Sequence, residues 1–267
     1  SDLRVASKIP EEKVLIAWSS ASSGGWDCDL TPSAPDCQGG GSGGGGSTPT
    51  TATWGPYLNT QWGQGDRYND HLPWAGCNSY TNNRYPTGCV ATATAQIMRY
   101  WSFPSNAYSW SSMPNGPLYD YDNHEHDLAS LMDNLGDKLN MDYGCDGSSA
   151  NTSKVRNVLV NDFGYSSNAN YKNYNGTEAK NDLKIRPIIL RACQERIDHI
   201  FWVTYDGCHA WVADGYRTVN YGAYVNGEIH MNWGWNGRFN AWYYHYDWTP
   251  GANNYQYKEK MLIGIKP

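Results

Sequence analysis

Cys89 is the residue whose sequence surroundings best suit nucleophilic chemistry. It opens the segment CVATATAQIMRYW, in which apolar residues recur at helical spacing, and the residues PTG at 86–88 form a turn before it. A thiol reacts as its thiolate, and the free amide groups and dipole of a helix N-terminus favour that form. Taken alone, a cysteine at a helix start is more often a small core residue than a nucleophile.

His209 is predicted to act as the general base for Cys89. It begins the run HAWVADGY, which predicts a strand in a later part of the chain, and a strand would hold the imidazole rigidly opposite the helix. A hydrogen-bonded structural role is more common for any single histidine, and six other histidines are present. Two of these, His124 and His126 in NHEHD, suggest a metal site, but an exposed helix start with acidic and histidine residues explains them better.

Four further residues supply the remaining needs of acyl transfer. Asn232 in HMNWGWNG is predicted to hold the second imidazole nitrogen of His209, while Trp233 and Trp235 exclude water from that hydrogen bond. Gln64 in WGQGDRYN is an uncharged side-chain donor that would join a backbone amide in stabilising an oxyanion. Tryptophan beside asparagine also suits a sugar-binding strip, so a carbohydrate-binding alternative stays open.

Helices precede strands along the chain. Helical spacing recurs in HDLASLMDNLGDKL (126–139) and in SKVRNVLVNDFG (153–164). From Arg186 onward, short β-branched and aromatic runs, IFWVTY (200–205) among them, predict an antiparallel sheet, with Asn226-Gly227 as a hairpin turn. This order indicates an α+β domain whose two halves face each other across a cleft.

A glycine-rich stretch divides the chain into three predicted parts. Residues 39–47 read GGGSGGGGS, which has no side chains to bury and predicts a flexible linker over 39–50. The N-terminal segment, 1–38, contains one predicted strand in KVLIAW and is too short for a core of its own. Residues 51–267 are predicted to form the catalytic domain.

The charge and composition disfavour several classes of partner. Among 267 residues, 20 are basic and 26 acidic, giving a net charge of -6 without long runs of either sign, so nucleic acid and anionic membrane surfaces are poor partners. The sequence shows neither a run of eighteen apolar residues nor a signal-peptide pattern, which predicts no membrane span. The 13 Trp and 21 Tyr against 4 Phe are typical of an extracellular protein.

Seven cysteines leave at least one thiol unpaired. Three disulfides and one free thiol are compatible with this odd number, as is a fully reduced set, and the sequence does not fix which cysteines pair.

Four ordered blocks carry a resemblance to a known family. WGQGDRYN, PTGCVATATAQIM, GCHAWVADGY and HMNWGWNG together resemble the streptopain family of papain-like bacterial cysteine peptidases, peptidase family C10, from about Trp54 to the C-terminus. The resemblance implies a papain-like two-lobed fold, with a helical lobe that carries the nucleophile and an antiparallel β lobe that carries the histidine. It also implies a secreted enzyme that is made as a zymogen.

Carried onto the matching motifs, the resemblance assigns roles to five residues. Cys89 falls on the nucleophile and His209 on the base. Gln64 falls on the oxyanion glutamine, and Asn232 with Trp233 on the pair that supports the imidazole. The expected function is hydrolysis of protein or peptide substrates through an acyl-enzyme, without a metal or organic cofactor.

The resemblance also implies an inhibitor. The chain's own prosegment, of which the upstream VLIAW run would be the tail, is the expected inhibitor.

Two other functions are alternatives to the peptidase. One is a catalytically inactive peptidase-like or carbohydrate-binding protein, and the other is a transglutaminase-like acyl transferase. The oligomeric state is not predicted.

Cys208 departs from the family pattern, because relatives usually carry glycine before the catalytic histidine. A disulfide from Cys208 to Cys193 would tether the strand of the base, whereas a free Cys208 would place a second thiol near the nucleophile. Cys77 and Cys145 also lie outside the usual motifs, and their pairing with each other is a hypothesis.

Overall fold

The computed structural model describes residues 49–118, 125–221 and 225–267. The predicted N-terminal segment, the first ten positions of the predicted linker, and Cys28 and Cys37 lie outside the described residues. In the part that is described, none of the helices has the length and apolar character needed to cross a membrane.

Four α-helices are described, and two of them match the predicted bounds to within one residue. They are α1 (Cys89–Trp101), α2 (Glu125–Leu139), α3 (Lys154–Asn157) and α4 (Gly176–Leu183). The helix predicted over 153–164 divides into α3 and a wider π-helical turn at Val158–Asp162. The short polar sequence of α4 gave no helical signal, because it buries only Ala179 and Leu183.

Within the described residues, seven strands form one antiparallel sheet. The strands of the chain are β1 (Thr50–Trp54), β2 (Asn170–Asn173), β3 (Ile188–Cys193), β4 (Glu195–Asp198), β5 (Val203–Asp206), β6 (His209–Asn220), β7 (Val225–Asn232), β8 (Ala241–Tyr244) and β9 (Tyr257–Ile263). The sheet order is β2-β9-β3-β6-β7-β8, and β1 pairs with the second half of β6. The β4–β5 pair forms a separate hairpin.

The turn between β6 and β7 is not where it was predicted. Asn226 and Gly227 lie inside β7, opposite Val219 and Thr218 of β6, so they do not form the turn between these strands. Gly227 is instead needed for packing, because a Cβ there would lie 2.9 Å from the hydroxyl of Tyr216. The Asn-Gly pair favours a tight turn locally, but the strand register that buries β6 places both residues within β7.

The run IFWVTY was predicted to lie in the sheet, and it lies instead in the β4–β5 hairpin. Ile200 and Phe201 are 90% and 88% exposed at its tip, and only the residues from Val203 onward belong to β5. A disulfide between Cys193 and Cys208 closes the base of this hairpin, one residue before β6 begins. An apolar run thus stays outside the core, which periodicity alone does not reveal.

Two apolar layers cover the sheet and fix where the cleft opens. Ile189, Val212 and Leu262 face the helical layer formed by α1 and α2. Their strand neighbours Leu190 and Trp211 face the opposite layer, which is closed by α4 and by aromatic loops. Because successive strand residues alternate between faces, the ends of β3, β6 and β9 bring side chains from the sheet to the start of α1. The fold is the expected α+β arrangement of a helical lobe against an antiparallel β lobe.

Candidate active site

Cys89 is the first residue of α1 and is the free cysteine of the described residues. Its side chain is buried, with 9% of the residue exposed. Gly88 before it has a φ of 86°, and a Cβ there would lie 2.8 Å from the sulfur of Met141 and 3.0 Å from the carbonyl oxygen of Ser148. Glycine therefore allows the chain to turn tightly into the helix at the thiol.

His209 is the first residue of β6 and is buried among aromatic rings. Its ring centroid lies 4.7 Å from Trp235, 5.6 Å from Tyr255 and 6.0 Å from Trp211. Its Nε2 lies 2.8 Å from the carbonyl oxygen of Trp233. Because a carbonyl oxygen only accepts, Nε2 carries the proton, and the Nδ1 of the neutral ring is left as a proton acceptor.

Burial keeps both groups uncharged at neutral pH. Burial raises the pKa of the Cys89 thiol, and the backbone amides of Ala210 and Val90 and the charge of Arg191 only partly oppose this shift. Burial also lowers the pKa of His209 to about 4, against the opposing effect of its bond to the Trp233 carbonyl. The structure therefore presents a neutral thiol and a neutral imidazole rather than an ion pair.

Cys89 and His209 line the same cleft, whose volume is about 510 Å³. The cleft lies between the two lobes. Its remaining walls come from the helical lobe (Val90, Asn140, Asp142, Ser149, Ala150, Asn151, Thr152, Ser153) and from the sheet (Tyr171, Arg191, Cys208, Ala210, Lys258, Lys260). A peptide lying in this cleft would meet the thiol and the imidazole together.

Asn232 does not make the contact that was expected of it. Its amide donates to the carbonyl of Thr60 at 2.6 Å, and its Oδ1 accepts from the Gly234 amide. The reason is register: Asn232 pairs with Val212, which faces the helical layer, while His209 packs on Trp211 of the opposite layer. The carbonyl of the next residue along the chain holds the imidazole instead.

Trp233 lies in the predicted shield of the imidazole. Its indole ring is fully buried and stacks on Trp211, with 4.6 Å between ring centroids. A platform for sugars must be open to solvent, so this burial argues against the carbohydrate-binding interpretation of the segment. Trp235 is partly exposed and closes the outer side of the stack on His209.

Gln64 is held beside the start of α1 through its main chain. Its carbonyl accepts from the Thr87 amide at 2.8 Å, two residues before Cys89. The neighbouring carbonyl of Gly63 accepts from the hydroxyl of Thr92 in α1. The loop that carries Gln64 is therefore fixed to the helix that begins with the thiol.

Two disulfides leave Cys89 as the free thiol of the described residues. Cys193 is bonded to Cys208, so the position before His209 carries no competing thiol. Cys77 is bonded to Cys145, across 68 positions of sequence.

Three contributors to the site were not predicted. Trp211 was detectable in principle, since it lies two residues after His209 on a strand and so shares its face. Tyr255 comes from a loop before β9, and no local signal places it near the imidazole. The Ala210 amide, which hydrogen-bonds the Cys89 sulfur, is a main-chain group that sequence patterns do not report.

The histidine-rich start of α2 is only partly described. His124 lies outside the described residues, and His126 packs edge-on against His71, with 4.5 Å between ring centroids.

Comparison with known proteins places these motifs in a family. The chain is 28% identical over 246 residues to streptopain of Streptococcus pyogenes serotype M1, an alignment that covers 76% of this chain and 60% of that protein. It is 26% identical over 242 residues to the thiol protease/hemagglutinin PrtT of Porphyromonas gingivalis, covering 77% of this chain and 26% of PrtT. The chain thus spans about 60% of the length of the streptopains it matches.

Solved structures show the same fold. The active wild-type interpain A cysteine protease of Prevotella intermedia matches with a TM-score of 0.66 and 26% identity, over 80% of this chain and 96% of that chain. A prointerpain A fragment from the same organism matches with a TM-score of 0.60 and 25% identity, over 80% of this chain and 73% of the fragment. The sequence model of the Peptidase C10 family matches residues 62–107 and 105–243. The chain belongs to the Peptidase C10 family.

Proposed function

We propose that this protein is a cysteine endopeptidase in which Cys89 is the nucleophile and His209 the general base. The observation that carries the proposal is a free thiol at a helix start that lines one cleft with an imidazole whose Nδ1 is left as acceptor. Membership in the Peptidase C10 family supports it, as do the peptidase names of its relatives.

Attack begins from the neutral pair. As the Cys89 sulfur approaches the carbonyl carbon of the peptide bond, its proton passes to the Nδ1 of His209 and the new carbon–sulfur bond forms. The carbonyl oxygen becomes an anion, which the Gln64 side chain and the Cys89 amide stabilise. The Trp233 carbonyl, which accepts from Nε2, stabilises the imidazolium that results.

Three further proton transfers complete the cycle. The imidazolium of His209 gives its proton to the leaving amine as the carbon–nitrogen bond breaks, which leaves a thioester on Cys89. Water then loses a proton to the imidazole and attacks the thioester. The carbon–sulfur bond breaks to release the carboxyl product, and the imidazolium returns its proton to the Cys89 sulfur. One water is consumed for each peptide bond, with no change of oxidation state.

Asn232 acts in this proposal as a positioning residue. Its amide donates to the carbonyl of Thr60, in the segment that leads to Gln64. It thereby ties the end of β7 to the loop of the oxyanion donor, while the main chain of Trp233 orients the imidazole.

Secretion and regulation by a prosegment belong to the same proposal. Two disulfides suit a protein that folds in an oxidising compartment. The segment 1–38 would contain the end of an inhibitory prosegment, as the resemblance implies.

Hydrolysis of casein under mild reductant tests the proposal against an inactive peptidase-like protein. We expect the chain to cleave casein, and both Cys89→Ala and iodoacetamide treatment to reduce the rate at least about a thousandfold. An untreated chain that does not cleave casein, and whose Cys89 resists alkylation, would contradict it. An added amine that becomes attached to the acyl product faster than water releases it would indicate acyl transfer instead.

A further inference from the structure

A patch of positive charge lies in the cleft that contains Cys89. Arg191, Lys258 and Lys260 line this cleft, and Asp142 is the carboxylate among its lining residues. Three cations against one carboxylate give the lining a formal charge of +2. The whole chain has a formal charge of -6, so the cleft differs in sign from the molecule. We call these three cations the basic subsite.

The register of the sheet places two of the cations side by side. Arg191 of β3 pairs with Lys260 of β9, and on its other side it pairs with Ala210, the neighbour of His209. Like charges directly opposite each other on adjacent strands destabilise a sheet. An anion bound between them would remove that repulsion, which gives a physical reason to expect a negatively charged ligand here.

Lys258 joins this pair through an irregularity of β9. Between the positions that pair with Arg191 and Cys193, β9 has one more residue than β3, and Lys258 there has a φ of 52°. Bulges of this kind redirect side chains and are common beside active sites. The irregularity therefore adds a second lysine to the cleft next to the strand pair.

The neighbours of the basic subsite do not neutralise it. Within residues 49–118, 125–221 and 225–267, none of the three cations forms an ion pair with a carboxylate. Arg191 donates to the Lys258 carbonyl at 3.2 Å and to the Cys208 sulfur at 3.0 Å. Lys260 donates to the Asn173 side chain, and the Lys258 ammonium lies 4.7 Å from the Tyr205 ring centroid. A guanidinium has five N–H donors, so a carboxylate can still bind to Arg191.

The opposite wall of the cleft is polar. It contains Asn140, Ser149, Asn151, Thr152 and Ser153, whose side chains are able to hydrogen-bond, and Asp142 is its carboxylate. A large apolar side chain would meet Val90 and Ala150 here but would also cover polar groups of this wall. A short side chain with a carboxylate would gain hydrogen bonds from both walls.

We propose that the basic subsite binds an aspartate or glutamate side chain of the peptide substrate, close to the bond that Cys89 attacks. This inference rests on the proposed peptidase function and names a substrate class for it. Charge-assisted hydrogen bonds from a guanidinium and ammonium groups to a carboxylate are stronger than those to an uncharged amide. The subsite should therefore distinguish glutamate from glutamine, which have nearly the same shape.

Paired peptides that differ by one glutamate or glutamine test the proposal. The exchange is made in turn at each of three positions on either side of a cleaved bond, and kcat/KM is measured for both members. At one position we expect the glutamate peptide to be preferred about tenfold. The preference should shrink as salt is raised, because ions screen this attraction.

Two variants and a control connect the preference to the subsite. Lys260→Gln should reduce the glutamate-to-glutamine ratio severalfold, and Lys260→Arg, which keeps the charge, should retain most of it. Lys266→Gln removes an exposed cation that does not line the cleft, and it should leave the ratio unchanged. Because each ratio is measured on one protein sample, partial unfolding of a variant cancels out.

Two outcomes would overturn the subsite, and they differ from failure of the peptidase proposal. A ratio near one at every position would overturn it, and so would a preference that Lys260→Gln leaves intact. If no peptide is cleaved, the proposed activity fails, and binding of the fluorescent glutamate and glutamine peptides to the chain decides instead. Tighter glutamate binding that Lys260→Gln abolishes would support the subsite, and equal binding would contradict it.

Discussion

At the scale of single residues, the aromatic enclosure of His209 sets its protonation state. Trp211, Trp235 and Tyr255 surround the ring, and burial lowers its pKa to about 4. A neutral imidazole can accept the thiol proton directly, so catalysis need not begin from a preformed ion pair. The low pKa of the buried ring also couples proton binding to stability.

Acid should destabilise the protein through His209. Its pKa is about 4 when folded and near 6.5 when unfolded, so the unfolded chain binds more protons between these values. The stabilisation is complete above pH 6.5 and is lost as the pH falls through 4, by up to about 3 kcal/mol. Chemical denaturation measured from pH 7 to pH 4 checks this.

His209→Gln supplies the control, because glutamine can donate to the Trp233 carbonyl but does not titrate. The free energy of unfolding of this variant should fall less over the same pH range. If the free energy of unfolding falls equally with pH in both proteins, a group other than His209 accounts for the acid sensitivity.

Opening the aromatic enclosure should raise the pKa of His209. Trp235 is partly exposed, and its ring is 4.7 Å from the imidazole, so Trp235→Ala admits water while leaving Trp211 and Trp233 in place. We expect the pKa to move upward from about 4 toward 6.5, as measured by NMR titration of the imidazole protons. An unchanged pKa would mean that the other rings alone keep water away.

The candidate site residues could be named from their sequence motifs, whereas the hydrogen-bond partners of these residues could not. Cys89, His209 and Gln64 stand in recognisable blocks of sequence. The imidazole of His209 donates to the Trp233 carbonyl and not to the Asn232 side chain. Which of the two groups faces His209 depends on the register of β7 against β6, which local sequence does not determine.

At the scale of elements, the start of α1 is fixed by glycine geometry and by packing. Gly88 has a left-handed φ, and Met141 and Ser148 occupy the space where its Cβ would lie. The loop of Gln64 is tied to the same helix start through Thr87. The thiol and the predicted oxyanion donor therefore depend on one local backbone conformation.

Gly88→Ala should damage both stability and activity. The backbone of Gly88 combines a φ of 86° with a ψ of 144°, and alanine in this conformation would cost about 1–3 kcal/mol, with the steric overlap in addition. Thermal unfolding and casein hydrolysis check the two effects. Gly116→Ala is the matched control, since nothing lies within 4 Å of its Cβ position. Equal behaviour of the two variants would contradict this account of the helix start.

Long periodic elements were predictable, and short ones were not. The apolar stripes of α1 and α2 gave their bounds to within one residue. The polar helix α4 and the four-residue strand β2 carry too few buried residues for periodicity to show.

At the scale of the whole molecule, two disulfides join segments that the fold brings together. The Cys77–Cys145 bond links the loop before α1 to the loop after α2, across 68 positions, and Cys193–Cys208 closes the β4–β5 hairpin across 15. The α+β class followed from the order of helices and strands. The sheet order did not, because pairing between distant strands leaves no mark on local sequence.

Of the two disulfides, removal of Cys77–Cys145, which closes the larger loop, should lower the free energy of unfolding more. Cys77→Ala with Cys145→Ala frees a loop of 68 residues in the unfolded chain, for which loop entropy predicts a loss of roughly 4 kcal/mol. The free energy of unfolding in urea measures this loss. Cys193→Ala with Cys208→Ala should cost less, roughly 3 kcal/mol, because its loop is shorter. The reverse order would contradict an entropic origin.

The central claim is that Cys89 and His209 act together as nucleophile and base. Rapid quenching of the reaction with a chromogenic peptide ester, followed by mass spectrometry of the protein, tests it most directly. We predict an acyl adduct on Cys89 that forms in a burst, and that forms far more slowly in His209→Ala. Hydrolysis without an adduct on Cys89, or equally fast acylation in His209→Ala, would contradict the account.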